Sequence, residues 1–196
     1  MHMLAGGLFA ASSLTYTKTF PGSMPAYVQI ALNDDGAGVY KEAPDDDNPI
    51  RFQLAETERN QILGLAQKLD HFSRPLESHL KVANMGMKTF HYEDADGAHE
   101  VKFNYSEDAD ARALNDLFES IVDSERALIG LETAVKFDKL GAQDAILRVE
   151  VLRDQKRLMA AQQFLPMLDR VVKNESFLHM ARDRAAALAD DIRKPK

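Results

Sequence analysis

The sequence predicts an α+β protein: a small antiparallel β-sheet of two hairpins packed by helices, followed by a C-terminal helical hairpin or bundle. Three observations predict it. Residues 14–105 carry short alternating apolar runs separated by Asp-Gly and Pro-rich turns, whereas residues 106–193 hold an almost unbroken helical period. The charge also changes sign, because residues 1–139 carry 13 basic and 23 acidic side chains and residues 140–196 carry 11 and 8. The expected organisation is a signal-peptide remnant over 1–13, an α+β domain over 14–123 and a helical extension over 124–196.

Residues 3–11 are apolar or small, and Ala10-Ala11-Ser12-Ser13 resembles the small-residue end of a secretory signal, so export to the periplasm or cell envelope is expected. Residues 14–20 read as a first strand, closed by the turn Pro21-Gly22-Ser23-Met24-Pro25. Val28, Ile30 and Leu32 alternate onto one face of a second strand. Asn33-Asp34-Asp35-Gly36 then supplies a hairpin turn, since Asp-Gly tolerates positive φ. Gly38-Val39-Tyr40-Lys41 returns with Val39 as its core residue, and residues 50–54 alternate again after a solvated loop over 44–49.

A helix opens at Thr57 and places Ile62, Ala66, Leu69 and Phe72 on one face before Pro75 closes the segment. The second hairpin turns on Asp96-Gly97. Phe90, Tyr92, Val101, Phe103 and Tyr105 take its core face, and Thr89, His91, Glu93, Glu100 and Lys102 its wet face. Ser106-Glu107-Asp108 suits a helix N-terminus. From there Leu114, Leu117, Phe118, Ile121, Leu128, Leu131 and Val135 keep one period as far as Leu140-Gly141, with a bend expected near Gly130. A second helix carries Leu147, Val151 and Leu158. A third holds Pro166 in its first turn and ends near Lys173. Asn174 caps a last one with Phe177, Ala181, Leu188 and Ile192 inward.

Composition bounds the function. With 196 residues, 45% hydrophobic and 28% charged, the chain is long and apolar enough to fold as a globule. Its net charge of −7 argues against nucleic acid as a partner, and no run reaches the ~20 apolar residues of a membrane span. The absence of cysteine removes disulfides, thiolate metal sites and cysteine nucleophiles together. Gly-x-Ser-x-Gly, phosphate-loop, dinucleotide-binding and His-Glu-x-x-His motifs are absent too, so neither catalysis nor a cofactor is expected.

Asp34, Asp35, Glu42, Asp45, Asp46 and Asp47 are the metal candidates, because a hard cation such as calcium takes several oxygens. Aligning Gly36 with the glycine of an EF-hand loop puts Ala31 at the first ligand position, and strands rather than helices flank the loop. A solvated hairpin accounts for these acids, with ion or small-ligand binding as the alternative function. His71, His79, His91 and His99 are spaced 8, 12 and 8 apart and form no metal-ligand pair. At the basic end, Arg148, Arg153, Arg157, Arg170 and Arg182 would suit an acidic surface of an unidentified protein partner, and they are also what solvated helices carry. The stripe Leu147, Val151, Leu158, Leu165 and Leu168 reads either as ordinary core or as a groove for a partner or a second copy.

The run Pro21-Gly22-Ser23-Met24-Pro25-Ala26-Tyr27-Val28-Gln29-Ile30, with Asp34-Asp35-Gly36-Ala37-Gly38-Val39-Tyr40 after it, resembles a family of small exported bacterial domains of unknown function. Leu54, Glu58, Ile62, Leu65, Leu69-Asp70-His71-Phe72 and Pro75 are similar to the pattern of emfourin-type metalloprotease inhibitors. Together these resemblances cover about residues 14–122. They imply a non-catalytic envelope protein that binds another protein, with protease inhibition as the sharpest version.

Overall fold

The structure, a computed structural model, describes residues 12–194. Its fold is α+β. Strands β1 (Ser13–Thr19), β2 (Tyr27–Asn33), β3 (Ala37–Lys41) and β4 (Ile50–Gln53) precede helix α1 (Glu56–Lys68). Strands β5 (Met87–Asp94) and β6 (Gly97–Phe103) follow, then helices α2 (Ala109–Phe137), α3 (Ala142–Asp154), α4 (Leu165–Lys173) and α5 (His179–Arg193). Most of the leader-like stretch lies outside the described residues, but its last residue, Ser13, already pairs with Asn33 and Glu93 in β1. The chain forms two compact units, one of residues 1–51 and 59–114 and one of residues 52–58 and 115–196. The division falls earlier in α2 than position 124 and gives residues 52–58 to the helical unit.

In the sheet, ordered β4-β3-β2-β1-β5-β6, β1 joins the two hairpins by pairing antiparallel with both β2 and β5. Alternation buries Leu14, Tyr16, Val28, Ile30 and Leu32 on one face, as period-2 geometry requires. The returning strand differs from expectation. Ile30 lies opposite Tyr40 and Ala31 opposite Val39, so Tyr40 is buried and Val39 faces the other way. Cross-strand register, not the β-propensity of valine, decides the face. In the second hairpin Phe90 faces Val101 and Lys88 faces Phe103, while Tyr92, opposite His99, is half-buried, as is Tyr105. Phe90 is the hub: its ring centroid lies 5.0 Å from Phe72, 5.0 Å from Phe103 and 5.8 Å from Tyr16.

Helix α1 starts at Glu56 rather than behind a Thr57 cap. Glu58 reaches back to accept from the Ala55 N–H at 2.8 Å, half of a capping box. The helix stops at Lys68, and Asp70, His71 and Phe72 follow with φ of 51°, 47° and 67°. A left-handed turn costs non-glycine residues roughly 1–2 kcal/mol each. It is offset by what it delivers, since Phe72 drops onto Phe90 and the His71 ring stacks on Tyr92 at 4.2 Å. Phe72 is therefore buried as expected, but by a turn rather than by helical periodicity. Asp108 caps α2, accepting from Asp110 N at 2.9 Å and Ala111 N at 3.1 Å while taking the Arg74 guanidinium at 2.7 Å on its other oxygen. The Arg74 bond, which outweighs burial, holds the Asp108 carboxyl below its usual range.

In the second unit α2 passes through Gly130 without interruption, burying Phe118, Ile121, Leu128, Leu131 and Val135 while Leu117 is half-buried. It ends at Phe137, and Gly141 instead precedes α3, its N–H donating to Asp138 at 3.0 Å. Helix α3 buries Ala142, Ile146 and Val149, leaving Leu147 and Val151 42% and 43% exposed. Of the Leu147, Val151, Leu158, Leu165 and Leu168 stripe, the core reading therefore fails for Leu147 and Val151, whereas Leu168 is fully buried and Leu158 and Leu165 are half-buried. Helix α5 brings Ala181, Ala185 and Leu188 into the same core, and small residues on both helices let the backbones approach. Leu158 lies beyond the end of α3. Pro166 is in the first turn of α4 as expected, whereas Asn174 closes a turn onto Ser176 and α5 begins only at His179.

Candidate binding site

The charged residues singled out by sequence are mostly used within the fold. Asp35 accepts from the Ala37 N–H at 2.9 Å and Asp46 from the Asn48 N–H at 2.9 Å, so both close turns of their own loops. Glu42 accepts from the Tyr40 hydroxyl at 2.8 Å, while Asp34, Asp45 and Asp47 are not brought to a common point with them. Among the described residues, no group of three or more His, Asp or Glu side chains is placed to hold a metal ion. His91 stands on the wet face between Glu93 at 3.7 Å and Glu100 at 3.8 Å.

Three of the five arginines hold the helical unit together. Arg153 pairs with Asp154 at 2.8 Å and Asp191 at 3.3 Å, Arg157 with Asp123 at 2.7 Å, and Arg182 donates to the Val172 carbonyl at 3.2 Å. Arg184 pairs with Glu150 and Arg193 with Asp169, so the basic excess of this end goes largely into helix-to-helix ion pairs. Arg148 and Arg170 remain exposed.

The most distinctive surface lies in the first unit, in the segment between Pro75 and β5. Residues 79–85 (His79, Leu80, Lys81, Val82, Ala83, Asn84, Met85) are all exposed, with Leu80 at 51%, Val82 at 39% and Met85 at 42%. A loop with that much apolar surface would collapse or fray unless its ends were held, and they are. At the entry, Ser78 N–H donates to the Tyr105 carbonyl at 2.9 Å and Asn104 N–H to Glu77 at 2.6 Å. At the exit, the Asn104 side chain accepts from Met85 N–H at 2.8 Å and donates to the Ala83 carbonyl at 3.0 Å. Within the loop, Val82 N–H closes a tight turn onto the Leu80 carbonyl at 2.9 Å.

Lys88 locks the base. Its alternation with Phe90 turns it inward, and it is only 5% exposed. The ammonium donates to the carbonyls of Asn104 at 2.7 Å, Gly86 at 3.1 Å and Met85 at 3.4 Å. Three donors meet three acceptors, which is what a buried ammonium requires. Burial would raise the Glu77 carboxyl, but N–H donors from Asn104, His79, Ser78 and Tyr105 outweigh it and hold the group below its usual range. Sequence reasoning passed over this loop because residues 76–86 carry no periodicity. Lys88 was findable as a lysine at an inward position of an alternating strand.

Gly86 sets the exit angle. Its φ is +88°, and a Cβ there would stand 3.0 Å from Phe20 Cβ and 3.2 Å from Lys18 Cε. Gly86→Ala is expected to cost about 2 kcal/mol, from left-handed strain plus displacement of Phe20. The denaturation midpoint should fall with no change in slope.

Among the described residues no helix is long and apolar enough to cross a membrane. No family model matches the chain, and no curated protein is similar to it.

Proposed function

We propose that this chain is a non-catalytic protein-interaction module of the bacterial cell envelope whose docking element is the loop over residues 79–85. One observation carries the reading: seven consecutive exposed residues, three of them large and apolar, are held between ends fixed by Lys88, Asn104 and Glu77. A loop already ordered before binding loses little conformational entropy on docking, so its apolar side chains contribute more fully to affinity. Leu80 and Val82 are the anchors, seated in the concave surface of a partner. A protease cleft is the sharpest version, since it takes an extended segment with alternate side chains in pockets. The resemblance to exported domains and to emfourin-type inhibitors supports both the envelope and the inhibitor parts.

The test uses the full chain and a Leu80→Asp/Val82→Asp variant with unchanged circular dichroism. Both are titrated against purified metalloproteases and serine proteases and used to capture proteins from an envelope extract. Inhibition or stoichiometric capture by the native chain, lost in the variant, is the expected result. Capture without inhibition leaves the module and removes the inhibitor version. Equal behaviour of native chain and variant overturns the loop as the docking element.

A further inference from the structure

The first unit also carries a pocket of about 410 Å³ between helix α1 and strand β5, and none of residues 79–85 lines it. Asn60, Leu63, Gly64 and Gln67 of α1 face it, at the i, i+3, i+4 and i+7 spacing of one helical face. His71 and Tyr92 line it too, their rings stacked at 4.2 Å with planes 15° from parallel.

Two features of this pocket cost stability that core packing does not explain. Gly64 stands in the middle of α1, where glycine is a poor helix former. The helix buries Ile62, Leu65 and Ala66, and a Cβ at Gly64 would meet nothing within 4 Å, so no close approach demands the glycine. What the missing side chain provides is depth between Asn60 and Gln67. His71 has a φ of 47°, in the left-handed region where a bulky side chain is strained. Unlike Phe72 beside it, its ring is only half-buried. Strain held at a pocket wall is the pattern of binding sites.

The lining selects the ligand. Among the described residues it includes no Asp, Glu, Lys or Arg, so a charged ligand would find no opposite charge there. Carboxamides both donate and accept, which suits hydroxyl groups. Arg59 donates to Asn60 Oδ1 at 2.8 Å, which turns the Asn60 amide nitrogen to other acceptors, and Gln67 has no hydrogen-bond partner among the described residues. Asn60 and Gln67 are separated by about 10.5 Å of helical rise, longer than one sugar ring and matched to two linked ones. A nucleobase is flat enough for the aromatic stack but too short to reach both amides. We propose that this pocket binds an uncharged saccharide of two linked rings, one beside the His71–Tyr92 stack, with hydroxyls on Asn60 and Gln67 across the Gly64 floor. The site does not depend on the docking role of the loop.

Nuclear magnetic resonance titration of the full chain tests it, following the imidazole C–H signals with cellobiose, N,N′-diacetylchitobiose, glucose and adenosine as probes. The His71 signal is the one lost in His71→Asn, a substitution that tolerates the left-handed turn. One of the two disaccharides is expected to shift it saturably, with His79 and His179 unmoved, and glucose to bind at least about tenfold more weakly. Gly64→Leu should weaken disaccharide binding at least about tenfold by filling the floor. The same variant should melt no lower than the native chain, because leucine is the better helix former, so unfolding could not account for the loss. Leu80→Asp/Val82→Asp should bind the disaccharide as the native chain does. A His71 signal that no probe moves overturns the proposal, as does one moved by adenosine and by neither disaccharide. So does glucose binding as tightly as the disaccharides, or disaccharide binding indifferent to Gly64→Leu.

Discussion

Replacing Lys88 by methionine is expected to cost about 3 kcal/mol and to release the loop it anchors. Hydrogen bonds from a charged donor are worth roughly 1.5–3 kcal/mol each, and here one short bond and two longer ones are lost together. Relief of the buried ammonium's desolvation works in the other direction and keeps the sum near that of the short bond plus a fraction of the others. Methionine fills the space, so no cavity adds to the cost. What is left is a set of carbonyls at Met85, Gly86 and Asn104 without their donor. The cheapest way to satisfy them is to let residues 77–86 lift into water. Amide exchange at Met85 and Gly86 should accelerate more than at the Phe90 hub, and proteases that spare the native loop should cut within residues 79–85. Lys102→Met, on the exposed face of the same hairpin, should change stability by no more than about 0.5 kcal/mol. Equal exchange rates in native and Lys88→Met proteins would mean that Asn104 and Glu77 suffice to hold the loop.

The strands were legible wherever alternation and an Asp-Gly turn acted together, as in β2–β3 and β5–β6. What alternation cannot supply is the phase of a strand against its neighbour, and Val39 was placed inward for that reason. The central position of β1 was not legible either, because its pairing with β5 joins segments far apart in sequence. In the helical half the apolar stripe of α2 was readable because its inward residues are large. That of α3 was not, because the buried Ala142, Ile146 and Val149 and the exposed Leu147 and Val151 are equally apolar, so residue type alone does not say which face turns inward. The arginines were visible as a basic cluster, but their carboxylate partners sit 24 to 38 residues away. Asn104 and Lys88 act through backbone carbonyls, which sequence does not display. Glu125 is an intermediate case: its intrusion into the apolar stripe between Ile121 and Leu128 could be seen, its partner could not.

That glutamate gives the second large effect, a loss of stability in the helical unit as pH rises from about 4.5 to about 7. Glu125 is fully buried, and Gln163 Nε2 donates to its Oε1 at 2.6 Å. Its Oε2 and the Gln163 Oε1 have no hydrogen-bond partner among the described residues. With the carboxyl ionised both orphans are acceptors, so the pair is one proton short. Burial, only partly countered by the Gln163 amide, pushes the carboxyl from the ordinary 4.5 to about 7. Below about 4.5 folded and unfolded chains both carry the proton, and stability is fully present. Between there and about 7 the unfolded chain releases it while the folded chain does not, so stability falls, then levels off once the buried group ionises as well. At roughly 1.4 kcal/mol per tenfold in proton affinity, the whole loss is about 3 kcal/mol. Glu125→Gln should flatten this slope and be the more stable protein at pH 8, with the nearby Asp123–Arg157 and Ser124–Met159 contacts intact. The first unit should respond in the opposite sense. Glu77 and Asp108, both held below the usual carboxylate range, contribute stability above that range and lose it as pH falls through their lowered values. Calorimetry from strongly acidic to mildly alkaline pH should therefore show Glu125→Gln diverging from the native chain as pH rises from about 4.5 to about 7, with the gap holding steady above that. Identical melting of the two proteins at pH 8 would mean that the folded state holds Glu125 ionised with a donor found for Oε2, and that the proton deficit is not what limits this unit.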